Sequence, residues 1–392
     1  MIRQTFALVV WVVASLSTAC TPDEPTTVTL IAVMPPDGAF GSAPQDLAHN
    51  VRLLTDGSLT IDVQSPAAGR IAVPRIFDLV DAGTIDLAVA PPAAFEVNGK
   101  TSPVGPLLVS GIPFGFKAHE FLAWYFGAGG EALVQSIYDR RSAHSNVVLM
   151  PLVVTASEPP GFFTEPVPSD ADQFNASGLT YRINLLGAEV MAIAFPNLNL
   201  VSSPPGVVPV DALCEQRIQG AELGTLSVYE RLFFEHFSHP NGDNIVDCGF
   251  EHLYLSSWQQ PMLSNWLLIN RAFLESLAPH EQDAIRLATK AQLTSSLASD
   301  LAASAGIVEK IRAAGATIHA ALPDAVLQRL RAATLIMIEQ KSALDEDFKL
   351  LTESMREFAV ENHAGLLYDG VASDQRFSRM PGWRPDNEIV SD

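Results

Sequence analysis

Arg182 closes a short apolar stretch, Leu179–Ile183, that reads as a β-strand. Strand ends are where α/β clefts gather ligand contacts, and a planar guanidinium grips a carboxylate through two parallel hydrogen bonds. Two carboxylates, Glu158 in Thr155-Ala156-Ser157-Glu158 and Glu222 in Ala221-Glu222, form the one pair that could be nominated for acid–base work. No GxSxG, HExxH, CxxC, P-loop or GxGxxG is present; Gly127-Ala128-Gly129-Gly130 has Ala132 where the dinucleotide pattern needs glycine, and it follows a helix. His236 and His239 share a helix face without a third ligand nearby, which reads as exposed helix histidines. Ser, His and Asp are all present, so missing motifs do not exclude a hydrolase, but nothing in the sequence argues for one.

Charge narrows the partners. The 392 residues carry 24 Lys plus Arg and a formal net charge of -20, without a basic run, which excludes a nucleic-acid footprint. An anionic ligand must be held by local positive charge, because the global field opposes it. Hydrophobic residues at 48% and charged residues at 17% allow sizeable cores, and the length suits two domains.

Residues 1–20 read as an export signal: Arg3, the apolar stretch Phe6–Leu16, then Leu16-Ser17-Thr18-Ala19-Cys20. Cys20 stands where a lipobox places its lipidated cysteine; cleavage after Ala19 by ordinary signal peptidase is the competing reading, and both imply export. Residues 21–26, rich in Pro and acids, read as a tether. Export permits disulfides, and Cys214 and Cys248 fit either one bridge or two buried thiols.

Strand and helix signals alternate through the body, giving an α/β class. Strands are expected at Thr27–Val33, Leu59–Val63, Ile85–Ala90 and Gln219–Leu223, with Val147–Val154 an apolar run typical of a buried parallel strand. Helices are expected at Gln45–Leu54, Val73–Val80, Ala188–Ala194, Val208–Gln216 and Phe116–Tyr138, the last with a break at Gly127, Gly129 and Gly130. Glu158–Pro168 reads as a loop. Ala284, Leu287, Ala288 and Ala291 fall on one helical face, and so do Val326, Leu330, Ala333 and Met337 in a helix opened by Pro323-Asp324.

Several segments carry a resemblance. Pro113-Phe114-Gly115-Phe116, His119-Glu120-Phe121-Leu122-Ala123-Trp124-Tyr125, Gly129-Gly130-Glu131-Ala132-Leu133, Gly178-Leu179-Thr180-Tyr181-Arg182-Ile183, Gly187-Ala188-Glu189-Val190, Ala221-Glu222, Ser257-Trp258-Gln259-Gln260-Pro261 and Ile269-Asn270 occur in order. Together they resemble the TRAP-type (tripartite ATP-independent) solute-binding proteins, and within them the branch labelled mannitol/chloroaromatic. The likeness runs from about Thr27 to Val360.

That resemblance implies a two-domain periplasmic binding protein fold with a hinged interdomain cleft, a helix spanning both domains and long C-terminal helices. The expected domains are 27–153 plus about 240–275, and 154–239 plus about 276–330, followed by one long helix over 323–362 and a tail over 363–392. It implies a small organic anion, an oxo- or hydroxy-carboxylate, handed to TRAP membrane permease subunits. Arg182 would grip the ligand and Glu222 would help hold a cation beside it; Glu158 falls where the branch usually has glutamine, and the added carboxylate would suit Na+ or Ca2+, the divalent ion more; no enzymatic cofactor is expected. Phe95, Trp258 and Asn270 would line the ligand, although core packing for the aromatics and a helix cap for Asn270 are equally open readings. Leu223 and Ala93-Ala94 depart from the family's aromatic positions and thin the pocket lining. The resemblance further implies a periplasmic protein, lipid-anchored through Cys20, and a homodimer through the C-terminal helix. A ligand sensor on the same fold is the alternative function, and an exported enzyme a more remote one.

Overall fold

The computed structural model describes residues 25–33, 41–65, 72–203, 210–230 and 245–362. The leader with Cys20, most of the tether, His236, His239 and the tail lie outside those residues.

The strands, in chain order, are β1 Thr26–Ala32, β2 Leu59–Gln64, β3 Leu87–Ala90, a two-strand hairpin of β4 Glu96–Val97 and β5 Lys100–Thr101, β6 Val147–Val154, β7 Gly161–Phe163, β8 Thr180–Arg182, β9 Asn199–Val201, β10 Gly220–Ala221, β11 His252–Tyr254, β12 Ser264–Asn270 and β13 Thr317–His319. They build two sheets, one ordered β2-β1-β3-β12-β6 and the other β13-β11-β7-β10-β8-β9. The architecture is α/β with two sheet-bearing domains, as the strand and helix alternation requires.

Two extended segments join the sheets. The chain leaves the first sheet after Val154 and enters the second at Gly161; it returns between Tyr254 and Ser264. The return thus falls after β11, later than residue 240. Glu158 and Gln260 face each other across the two segments as an antiparallel bridge, with the Glu158 N–H donating to the Gln260 carbonyl at 3.0 Å. A third connection is the 35-residue helix Pro279–Ala313, which packs on β6 and the helix Ala43–Leu54 of the first domain and on the helix Leu226–Glu230 of the second. Pro279 suits its first turn, and Glu281 accepts the Ala278 N–H at 3.1 Å. Its buried face carries Ala284, Ile285, Ala288, Thr289 and Leu293, whereas Leu287 is 58% exposed and does not belong to that face.

Three expectations are corrected. Val147–Val154 is a strand with the expected bounds, but it pairs antiparallel with β12 at the sheet edge. Its apolar run reflects helices packed on it, not a parallel neighbour. The supposed loop after Glu158 contains β7, which lies between β11 and β10 and is antiparallel to both. The single helix over 323–362 is two, Asp324–Leu344 and Glu346–Glu361, because Asp345 adopts an extended backbone and its carboxylate caps the Phe348 N–H at 2.9 Å. Arg141 clasps Asp345 at 2.7 Å, which ties this joint to the first domain.

The first of these helices packs on Leu185–Ala194 and the second on Gly130–Arg141. Val326, Leu330, Ala333 and Met337 of one, and Phe348, Leu351 and Met355 of the other, are buried against the chain's own body. Among the described residues there is no single extended C-terminal helix of the kind such a dimer would use, and these apolar faces are already covered. Lys341–Glu189 and Arg329–Asp172 hold the first helix to the second domain, each at 2.8 Å.

Cys214 and Cys248 form a disulfide, which settles the open choice between a bridge and two thiols. It closes a separation of 34 residues and sits in a cluster with Leu213, Ile245, Phe250, Leu253, Ile307 and Ile311. Loop-closure entropy for a ring of that size gives about 4 kcal/mol. Cys214→Ser with Cys248→Ser should therefore lower the urea midpoint markedly, and reductant should do the same to the wild type; an unchanged midpoint would remove the bridge from the stability account.

Candidate functional site

The site begins with parallel strand ends. β8 and β10 are parallel, with Arg182 opposite Ala221, and Glu222 follows at once. The Glu222 N–H donates to the Arg182 carbonyl at 2.9 Å. Both side chains therefore emerge at the carboxyl ends of neighbouring parallel strands, the position that the strand-end argument assigned to Arg182. Arg182 Nη1 lies 2.8 Å from Glu222 Oε2 and also donates to the Glu222 carbonyl, and its Nε donates to Ser203 Oγ at 3.0 Å. Arg182 is 5% exposed and Glu222 2%, so the ion pair is desolvated.

Close approach of β7 makes this possible. Gly161 has φ +111°, and an added Cβ would collide with the Ala221 carbonyl. The glycine lets the incoming segment lie directly against β10, and so brings Glu158 to Glu222.

Glu158 is 2% exposed, and its Oε2 accepts from Gln260 Nε2 at 2.7 Å. Burial pushes its carboxyl well above the usual carboxylate range; the Glu222 charge, and a hydrogen bond to Glu222 that only the acid form donates, push the same way. The Arg182 charge opposes them and Asp300 adds to them. Asp300 comes from the spanning helix, accepts the Ala156 N–H at 2.9 Å and takes a hydrogen bond from the Ser227 hydroxyl. Glu158 thus feels two other carboxyl groups, Glu222 and Asp300, and the one guanidinium of Arg182. Tyr181 and Tyr229 pack beside them, and burial, followed by the Glu222 charge, raises both phenols well above their ordinary range. Tyr181 donates to the Pro160 carbonyl at 2.6 Å, and the Tyr229 hydroxyl accepts the Leu223 N–H at 3.3 Å. Leu223 is itself 7% exposed, so its side chain is spent on packing.

The arrangement places Arg182, Glu222 and Glu158 in one cluster. Trp258 is near it in sequence, two residues before Gln260. It is fully buried, stacked at a tilt on Phe114 with ring centres 5.8 Å apart, and its indole N–H has no acceptor among the described residues. Phe95 and Asn270 are employed elsewhere. Phe95 packs between Phe77 and Tyr138 at 5.4 and 6.1 Å in the first domain's core. Asn270 caps the helix Arg271–Ser276 through the Phe273 N–H at 2.9 Å, and its amide donates to the Val80 carbonyl at 2.8 Å. It ends β12 at the far side from Ser264, roughly 20 Å along a strand at about 3.3 Å per residue.

Asp300, Gln260, Ser203 and Gln259 complete the site without having been anticipated. Gln259 fixes the joining segments by donating to the Glu158 and Pro159 carbonyls at 3.1 and 2.8 Å. The one available signal was Asp300, an acid inside an Ala/Ser/Leu helix stretch. Among the described residues no three His, Cys, Asp or Glu side chains form a complete metal cage. The carboxyls of Glu158 and Glu222 could offer oxygens to a hard cation, with carbonyl, ligand or water oxygens needed for the rest. Among the described residues no helix is long and apolar enough to cross a membrane.

No family model matches the sequence. Over 347 residues the chain is 25% identical to a monocarboxylate 2-oxoacid-binding periplasmic protein of Nostoc sp., covering 86% of each. The fold matches a periplasmic TRAP solute-binding protein of Pseudoalteromonas atlantica solved with bound sodium and pyruvate, with a TM-score of 0.71 at 20% identity, covering 89% of this chain and 100% of that one. It also matches one from Colwellia psychrerythraea with bound calcium and pyruvate, at a TM-score of 0.72 and 19% identity, covering 89% and 98%.

Proposed function

We propose that this chain, which stands among the TRAP-type periplasmic solute-binding proteins in sequence and fold, binds a small 2-oxo- or hydroxy-monocarboxylate together with a cation and presents it to a membrane permease. The observation that carries the reading is the buried cluster of Arg182, Glu222 and Glu158 where the two joining segments meet the strand ends of the second sheet. Arg182 receives the ligand carboxylate. Glu158 and Glu222 hold the cation, which the ligand's oxygen atoms help to coordinate. With Glu222 already paired to Arg182 and the acids Glu158 and Asp300 close by, a further anion is tolerated only if positive charge enters with it. A divalent ion offsets more of that excess than a monovalent one, so Ca2+ is preferred over Na+. The buried indole N–H of Trp258 supplies a donor to a bound oxygen.

Closure follows from ligand contacts to both sides of the hinge. Glu158 belongs to a joining segment and Arg182 to the second domain, so a ligand and ion held by them favour the closed form when they also touch the first domain. A lipidated Cys20 would tether the body to the membrane; the mass of the mature N-terminal peptide tests that. The neighbours in sequence and fold are binding proteins, and nothing in the cluster presents a poised nucleophile.

The test is thermal unfolding of the mature chain against pyruvate and related acids, each with EDTA, Na+ or Ca2+. At one hundred times the dissociation constant a ligand adds about 2.7 kcal/mol of stability. A 2-oxoacid should raise the midpoint with Ca2+ and do little in EDTA. A panel flat under all three conditions would sink the proposal.

A further inference from the structure

His252 and His319 lie on neighbouring parallel strands of the second sheet, β11 and β13. The register pairs His252 with Thr317 and Tyr254 with His319, so alternation puts His252, Tyr254, Thr317 and His319 on one face. Leu253 and Ile318 point the other way, into the apolar cluster around the disulfide. His252 Nδ1 and His319 Nε2 are 3.1 Å apart. Tyr254 fixes the His319 ring, stacking on it at 4.4 Å with planes 10° apart, and its hydroxyl is itself held by the Val167 N–H at 2.9 Å.

Two imidazole nitrogens 3.1 Å apart have the spacing of a transition-metal chelate, and rotation of the rings out of their mutual hydrogen bond would turn both lone pairs toward one ion. With zinc–nitrogen bonds of about 2.0–2.1 Å, a separation of 3.1 Å subtends roughly 100° at the ion, between square-planar and tetrahedral angles. Both residues are only partly buried, so water can fill the remaining coordination positions. Burial, and after it the neighbouring His252, lowers the His319 pKa, which keeps that ring in the neutral, ligating form. The net charge of -20 favours a cation over the same surface.

We propose that His252 and His319 form a second metal site, separate from the carboxylate cluster and selective for a borderline transition ion such as Zn2+, Ni2+ or Cu2+. Bound there, the ion would staple β13, the strand that follows the spanning helix, to β11. The rings are nitrogen donors, whereas Glu158 and Glu222 offer oxygen, so the two sites separate by metal type as well as by place.

The experiment uses the mature chain stripped with EDTA and titrated calorimetrically with Zn2+. One saturable site is expected in the wild type and in Glu222→Gln. His252→Gln and His319→Gln should each weaken it at least tenfold while leaving the far-ultraviolet spectrum and carboxylate binding unchanged. Cu2+ bound to the wild type should show coupling to two nitrogens by electron paramagnetic resonance. No Zn2+ site in the wild type, a site that persists in the His252→Gln/His319→Gln double variant, or one lost in Glu222→Gln would each overturn the assignment.

Discussion

Arg182→Lys should weaken carboxylate binding by at least roughly tenfold while the fold survives, and Arg182→Ala should abolish measurable binding. The lysine keeps the charge but loses the fork that meets a carboxylate with two bonds, and it cannot also reach Ser203 and both Glu222 oxygen acceptors. The alanine variant carries a second effect. Breaking a buried ion pair by deleting one partner costs about 3–5 kcal/mol, because the other charge is left desolvated. Glu222 would then face Glu158 with no guanidinium between them. A falling midpoint in Arg182→Ala is therefore expected and says nothing about ligand binding.

The double variant Arg182→Met/Glu222→Gln separates the two effects. It removes both charges, so stability should recover towards the wild-type midpoint, while affinity for the acid stays lost. Isothermal titration of each folded variant with its best acid and Ca2+ reads the result. Wild-type affinity in Arg182→Lys together with wild-type affinity in the double variant would show that the ligand carboxylate is held elsewhere.

The site was partly legible because its central residue obeys a local rule. Arg182 ends a short strand, and strand ends in α/β sheets face the cleft; one segment of sequence suffices for that inference. Glu158 meets Gln260 across a separation of 102 residues, and no local pattern announces such a bridge. β7 was hidden by Pro159-Pro160-Gly161, punctuation that normally marks a loop. Here the glycine serves close approach to β10, and the strand has only three residues. The break at Asp345 lacks any Gly or Pro; its signal was an Asp followed by Glu346 and Asp347, a helix start buried inside a longer apolar periodicity. Asn270 and Phe95 each had two open readings, and the structure realises the cap and the core packing. Their types suit a ligand, but capping and aromatic packing use up their chemistry.

Glu158→Gln should make the ligand-free protein more stable at pH 8 and leave it unchanged near pH 4. The sign follows from proton linkage. The folded protein holds the Glu158 proton to a higher pH than the unfolded chain, whose glutamate titrates near its ordinary value of about 4.3. In the window between, the folded state binds more protons, so stability falls as pH rises, and it keeps falling until the folded carboxyl ionises. Glutamine does not titrate. Its carbonyl can accept from Gln260 and its amide can donate to Glu222, the two bonds that the neutral acid makes. The two proteins should therefore share a midpoint near pH 4 and diverge by several degrees at pH 8. Ca2+ should reverse the order, because the ion replaces the proton between Glu158 and Glu222 and the amide offers it no charge. Midpoints that run parallel from pH 4 to pH 9 would mean that Glu158 ionises as an ordinary glutamate. A Ca2+ shift of wild-type size in the variant would take Glu158 out of the cation site and leave Glu222 to hold the ion with the ligand alone.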